Sequence, residues 1–282
     1  MGTDNQTDNS LTAVQLKKYA QDLAEVHKQE KAKRKELESV NLQLKEYAGA
    51  LNSTINKLKG TNAELKDAYL DTIYRLSLAA EYKDEDTGSH IARTSKYCAL
   101  IANKLGLSSK DVDIIFWASP MHDIGKVGMP DAIMLKPGKL TAAEFDILKT
   151  HTTIGAKILS GSKAEMIIVA EQIALTHHEK WNGTGYPQGL KGEEIPLVGR
   201  IVGLVDVFDA LTTKRPYKDP YPIEVALEII KTERGKHFDP DVVDVFLQNI
   251  ETILQIREEV GAVEVSSSTA LFHWSERDKA RM

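Results

Sequence analysis

The chain has 282 residues, 42% of them hydrophobic and 27% charged, with a formal net charge of −5. That apolar share can bury a sizeable core, and the acidic balance argues against a DNA-binding protein, which is usually basic. The single cysteine, Cys98, excludes an internal disulfide and a thiolate zinc site, which fits a reducing, cytoplasmic setting. The polar opening from Met1 to Ser10 lacks a signal-peptide pattern, and no apolar run approaches the length of a membrane span.

Residues 1–70 carry a heptad pattern. Leu16, Leu23, Leu37, Leu44, Leu51, Leu58 and Leu65 share one seven-residue register, with Glu30 as its polar member. Tyr19, Val26, Val40, Tyr47 and Ala68 occupy the second apolar position, which Lys33, Thr54 and Thr61 weaken. This spacing predicts an N-terminal coiled coil. Gly49 and Gly60 each cost about 1 kcal/mol relative to alanine. The competing reading is a lone solvated helix, as the charge-rich KQEKAKRKE stretch would suggest. Such a helix would leave a long leucine seam in water, so a second copy of the chain is the simpler partner, giving a homodimer.

From 71 to 261 the apolar residues recur at helical spacings, as in Ile73, Leu76, Ala80 and in Ile91, Cys98, Ile101, Leu105. Gly- and Pro-containing stretches separate the segments: LGLSS, MPDAIMLKPGKLT, WNGTGYPQGLKGEEIP and KRPYKDPYP. IVGLVDV is β-rich in composition but sits inside a helix-period stretch, so it reads as a buried helix. The expected fold is an all-α bundle. Residues 262–282 read as a C-terminal tail, in which Phe272, His273 and Trp274 offer a docking point.

Within the bundle most histidines stand beside carboxylates. Asp86 and His90 are four apart, His122 and Asp123 are adjacent, His151 stands alone, His177 and His178 are adjacent, and Asp206 and Asp209 follow in RIVGLVDVFDAL. Helical residues four apart share a face, so Asp86 and His90 can grip one ion. Adjacent helical residues diverge by about 100°, so a doublet can serve two neighbouring ions. Imidazole and carboxylate without thiolate suit iron, manganese, nickel, cobalt or zinc in a catalytic site. A single buried histidine is more often a satisfied core residue than a ligand, and Asp86 with His90 alone fits a surface pair. Two adjacent doublets resist that explanation, because burying neighbouring polar rings without partners is costly. Lys126 lies four residues after His122 and three after Asp123, which places it to meet a phosphate rather than a metal. Its bland alternative is a surface lysine.

The strings AAEYKDEDTGSH, HDIGK, HHEKWNGTGYP, IPLVGRIVGLVDVFDAL, RPYK and GKHFDP, taken together over roughly residues 70–255, resemble the HD-GYP family, a branch of the HD superfamily of metal-dependent phosphohydrolases. The resemblance implies an HD-type helical bundle and a metal centre built by His90, His122, Asp123, His151, His177, His178 and Asp206, with Asp123 bridging two ions. It implies that Lys126 holds the scissile phosphate, that Gly185, Tyr186 and Pro187 line the substrate groove, and that Arg215 and Lys218 contact nucleotide phosphates. Asp209 is expected to support a ligand rather than to be one. Gly183, Gly185 and Gly189 let the loop turn sharply and approach a ligand. The implied cofactors are two or three divalent ions, iron or manganese first and nickel, cobalt or zinc as alternatives. The implied substrate is cyclic di-GMP, opened to linear pGpG, with further cleavage to GMP left open.

Two other readings compete. One is a different cyclic dinucleotide. The other is a module that binds nucleotide or a partner without turnover, whose mark would be missing ligands; none of the dinuclear set is missing. One departure stands out: members with a third metal carry ETGxH, whereas DTGSH places Asp86 there, with one methylene less reach. Asp86 is expected to hold a third, weaker ion. The coiled coil is expected to relay a signal from an upstream sensor or signalling partner.

Overall fold

In a computed structural model, residues 5–84, 88–214 and 219–263 are described. The helices are α1 (Asn5–Glu81), α2 (Gly88–Lys104), α3 (Ser109–Ala118), α4 (Asp131–Met134), α5 (Ala142–Lys149), α6 (His151–Leu159), α7 (Glu165–Thr176), α8 (Leu197–Thr212), α9 (Ile223–Thr232), α10 (Pro240–Gln248) and α11 (Ile250–Val263). Short 3-10 helices span Tyr82–Asp84, Ser119–Met121, Ile124–Gly128 and Gly192–Glu194. No strand occurs among the described residues, only isolated bridges at Asn182–Lys191 and Arg234–Phe238. The fold is all-α, and IVGLVDV lies inside α8. Among the described residues no helix is long and apolar enough to cross a membrane.

The chain divides into two compact units, 1–67 and 68–282. In the first, the heptad leucines remain largely in solvent, from 59% exposed at Leu44 to 69% at Leu16.

The second unit holds the core. There α2 packs against α3, α8 and α11, while α7 packs against α3, α6 and α8. Tyr97, Phe116, Phe208 and Phe246 are its largest fully buried rings. Phe208 meets Tyr97 and Phe246 edge to face, with centroids 6.1 and 4.9 Å apart, the geometry that aromatic quadrupoles favour. Local chemistry sets the helix starts. The Ser108 hydroxyl accepts from the Asp111 amide to open α3, and a Thr141–Glu144 capping box opens α5.

Two sequence expectations change. The stretch MPDAIMLKPGKLT contains the one-turn helix α4, which follows Pro130 (φ −64°) and buries Ile133; proline presets that backbone angle. At the end of α1 the buried face is Ile73, Ser77, Ala80 and Glu81, whereas Leu76 is 57% exposed. Spacings of three and four are both helical, and the apolar Leu76 pointed to the wrong one.

Candidate metal centre

Separate elements bring the ligand-type side chains together. Glu81 ends α1, His90 lies in the first turn of α2, His151 opens α6, and Asp206 lies in α8. His122 and Asp123 stand between two 3-10 helices, and His177 and His178 directly follow α7. Neither doublet is inside an α-helix, so the 100° divergence expected of them does not apply: the rings of His177 and His178 lie only 4.0 Å apart.

Asp123 is the hub. Its Oδ1 lies 3.3 Å from His151 Nε2 and 3.6 Å from His177 Nε2, and its Oδ2 lies 3.2 Å from His122 Nε2. Asp206 Oδ1 is 3.7 Å from His90 Nε2 and 3.9 Å from His122 Nε2. Ligand atoms of Asp123, His151, His177 and His178 all fall within 4.8 Å of one another, and those of Glu81, His90 and His122 form a second such group.

The far nitrogen of each ring explains the orientation. His122 Nδ1 donates to the Ser119 carbonyl at 2.9 Å and His151 Nδ1 to that of Leu148 at 2.7 Å. His177 Nδ1 lies 3.1 Å from the Ile173 carbonyl, and His90 Nδ1 lies 2.8 Å from Asp209 Oδ2. A carbonyl only accepts, so the proton sits on Nδ1 and the Nε2 lone pair turns inward, the arrangement of metal-ligating histidines. Nε2 of His122, His151 and His177, Asp123 Oδ1 and both Glu81 carboxylate oxygens are buried and make no hydrogen bond among the described residues. Leaving such groups unsatisfied costs about 1–3 kcal/mol each. Inward lone pairs and buried carboxylates, with no thiolate, fit divalent cations.

The electrostatics agree. Burial works to raise the Asp123 carboxyl, but Lys126, whose Nζ is 2.7 Å away, and His122 hold it well below its usual range. Burial works to lower His122, but Asp123, Asp206 and Glu81 push it up to about 10. Burial lowers both His151 and His178, and the neighbouring His177 adds to this. Burial raises Glu81. A field that holds a proton on a buried imidazole is one that a metal ion would satisfy in its place.

Around this cluster stand residues that hold it. Asp209 takes two hydrogen bonds from Arg93, at 2.6 and 2.8 Å, and one from His90. In the GYP loop the Tyr186 ring lies 4.8 Å from that of His178, and Lys149 Nζ sits 5.0 Å above Phe145, itself 6.3 Å from Tyr186. Glu179 binds the loop through the amides of Gln188, Gly189 and Leu190, at 2.7, 3.1 and 3.1 Å. Gly183 and Gly189 adopt positive φ, 83° and 68°. Of the residues anticipated from sequence, Asp86, Arg215 and Lys218 lie outside the described residues. Sequence reasoning missed Glu81, Glu179 and Arg93. The available signal for Glu81 was its position four residues after Ser77 and eight after Ile73, an acid on an inward face.

A helical bundle gathering inward imidazole lone pairs around a buried aspartate defines a metal-binding scaffold. The profile of the HD domain family matches residues 76–242, and the chain belongs to that family. It is 44% identical over 206 residues to a cyclic di-GMP phosphodiesterase of Thermotoga maritima, covering 72% of this chain and 56% of that protein. It is 43% identical over 194 residues to a 3'3'-cGAMP-specific phosphodiesterase of Vibrio cholerae, covering 69% of this chain and 37% of the relative. A cyclic di-GMP phosphodiesterase response regulator of Xanthomonas campestris is 44% identical over 200 residues, covering 71% of this chain and 53% of its own. The chain thus spans about half the length, or less, of these curated relatives. Among solved structures, a cyclic GMP-AMP-specific phosphodiesterase of Vibrio cholerae shares the fold, with a TM-score of 0.53 and 24% identity over 72% of this chain and 53% of that one. The resemblance to HD-GYP phosphodiesterases read from the sequence stands.

Proposed function

We propose that the chain is a metal-dependent phosphodiesterase that hydrolyses cyclic di-GMP to linear pGpG. The observation that carries this reading is the set of buried Nε2 atoms whose Nδ1 partners turn them onto Asp123. His90, His122, Asp123, His151, His177, His178 and Asp206 would hold the ions, iron or manganese first. When bound, such ions supply Lewis acidity and an acidified water, the general chemistry of paired metals at phosphodiesters.

The remaining work falls to the chain's own residues. Asp123, central to both halves of the cluster, fixes the spacing of the ligands. Lys126 is tied to Asp123 in this structure; its ammonium would offset negative charge developing on a non-bridging phosphate oxygen. Tyr186, whose ring lies tilted beside that of His178, would offer an apolar wall for a base, and Arg215 and Lys218 would bind the remaining phosphate. The heptad leucines would pair two copies of the chain as a homodimer, and an upstream sensor or signalling partner would act through them. The relative specific for 3'3'-cGAMP supports a second reading, in which the same centre opens that hybrid dinucleotide.

The test is turnover of both dinucleotides by metal-stripped protein, before and after adding manganese or iron. Activity should vanish on stripping and return with metal, and His122→Ala and Asp123→Ala should each abolish it. Full activity in a sample shown to be metal-free by elemental analysis overturns the proposal.

A further inference from the structure

We propose that Glu81 is a cation ligand acting with His90 and His122, and that it supplies the carboxylate of a third divalent-ion site beside the pair centred on Asp123. The inference rests on the metal-centre reading above and adds to it a residue from the last turn of α1.

Three observations converge on Glu81. It is 1% exposed, and neither carboxylate oxygen makes a hydrogen bond among the described residues. One of its oxygens lies within 4.8 Å of ligand nitrogens of both His90 and His122, which also lie that close to each other. It stands at the C-terminal end of α1, whose last turn contains no basic residue. That end of a helix carries the negative pole of the peptide dipoles, so an anion there is unfavourable unless a cation joins it.

The same protein shows what a purely structural buried acid looks like. Asp209, also 1% exposed, is held by Arg93 and His90. Glu179, 6% exposed, receives three backbone amides. Glu81 has no comparable set of donors; one of its oxygens lies near imidazole nitrogens that are themselves available as ligands. Two imidazoles and a carboxylate are donors that would suit a divalent transition metal. The site also answers the shortened side chain at position 86: where Asp86 has one methylene less than glutamate, Glu81 brings a full-length carboxylate from a different element.

The experiment counts metal on the full chain. Parent and Glu81→Gln are dialysed against saturating manganese, the bound metal is measured by elemental analysis, and binding is followed by calorimetry. Glutamine keeps the shape and removes the charge. The parent should hold about three ions, and the variant about one fewer, with the tighter pair unchanged. Helical content is checked by circular dichroism. If the glutamine variant misfolds, Glu81→Asp is read instead and should weaken the third ion by about 10-fold or more. An unchanged count in a folded Glu81→Gln, an unweakened third ion in Glu81→Asp, or a parent that saturates at two ions overturns the proposal. So does an Asp86→Ala variant that loses the third ion while Glu81→Gln keeps it. A parent that binds no metal at all fails the underlying metal-centre reading, and is distinguished from these by that first count.

Discussion

Replacing Asp209 with asparagine tests how the centre is held. Asp209 is buried, accepts from Arg93 Nε at 2.6 Å and Nη2 at 2.8 Å, and accepts from His90 Nδ1 at 2.8 Å. Asparagine keeps the size and one acceptor, but its amide presents N–H to a partner that also donates. If the amide nitrogen takes the place of Oδ2, it faces both His90 Nδ1 and Arg93 Nη2, and the imidazole must take the proton on Nε2 and lose its inward lone pair. If it takes the place of Oδ1, it faces Arg93 Nε alone, and a buried guanidinium loses half of its bidentate partner. The first outcome weakens metal binding by about 10- to 100-fold, the usual scale for a residue that orients a ligand. The second lowers folding stability by about 3 kcal/mol, since an uncompensated buried charge remains. Urea unfolding in excess chelator isolates the stability effect, and competition against a chromophoric chelator isolates the affinity. A variant with unchanged urea midpoint and unchanged metal affinity refutes the argument that Asp209 acts through His90 and Arg93.

Removing either Arg215 or Lys218 should raise KM or lower kcat/KM while metal content stays constant; metal loss in parallel with activity assigns them another role. Glu179→Ala takes the acceptor from three loop amides, so KM should rise with metal content unchanged; an unaffected KM would separate the loop from substrate binding. Leu37→Lys with Leu44→Lys should convert a dimer into monomers by light scattering, and a parent chain that is already monomeric at micromolar concentration refutes coiled-coil pairing.

The helical character of the chain was legible because the apolar spacing is regular, from the leucine register of α1 to the buried stretch of α8. The imidazoles were legible because they come as doublets and in ordered strings. Their geometry was not, since His122, Asp123, His177 and His178 occupy turns and helix ends, where 3.6-residue arithmetic has no purchase. Glu81 was hidden for a different reason: its neighbours His90 and His122 belong to other elements, and locally it looks like the last charged residue of a charged helix. The pairing of Arg93 with Asp209 spans 116 residues, so no local pattern announces it. The helix α4 was obscured by the glycine and prolines around it.

Two glycines described by what surrounds them bear on how this centre can change over evolutionary time. A Cβ on Gly125 would collide with the carbonyl oxygen of His151, and one on Gly203 would lie 2.6 Å from the carbonyl oxygen of His177. Main chain therefore rests on main chain where the HDIGK turn crosses α6 and where α8 crosses the end of α7. Distances set in that way do not depend on which aliphatic side chains fill the interior. Substitutions can accumulate among the leucines, isoleucines and valines of the bundle while the histidines keep their mutual placement. The two glycines themselves have no such freedom, because any larger residue there would push two histidine-bearing segments apart.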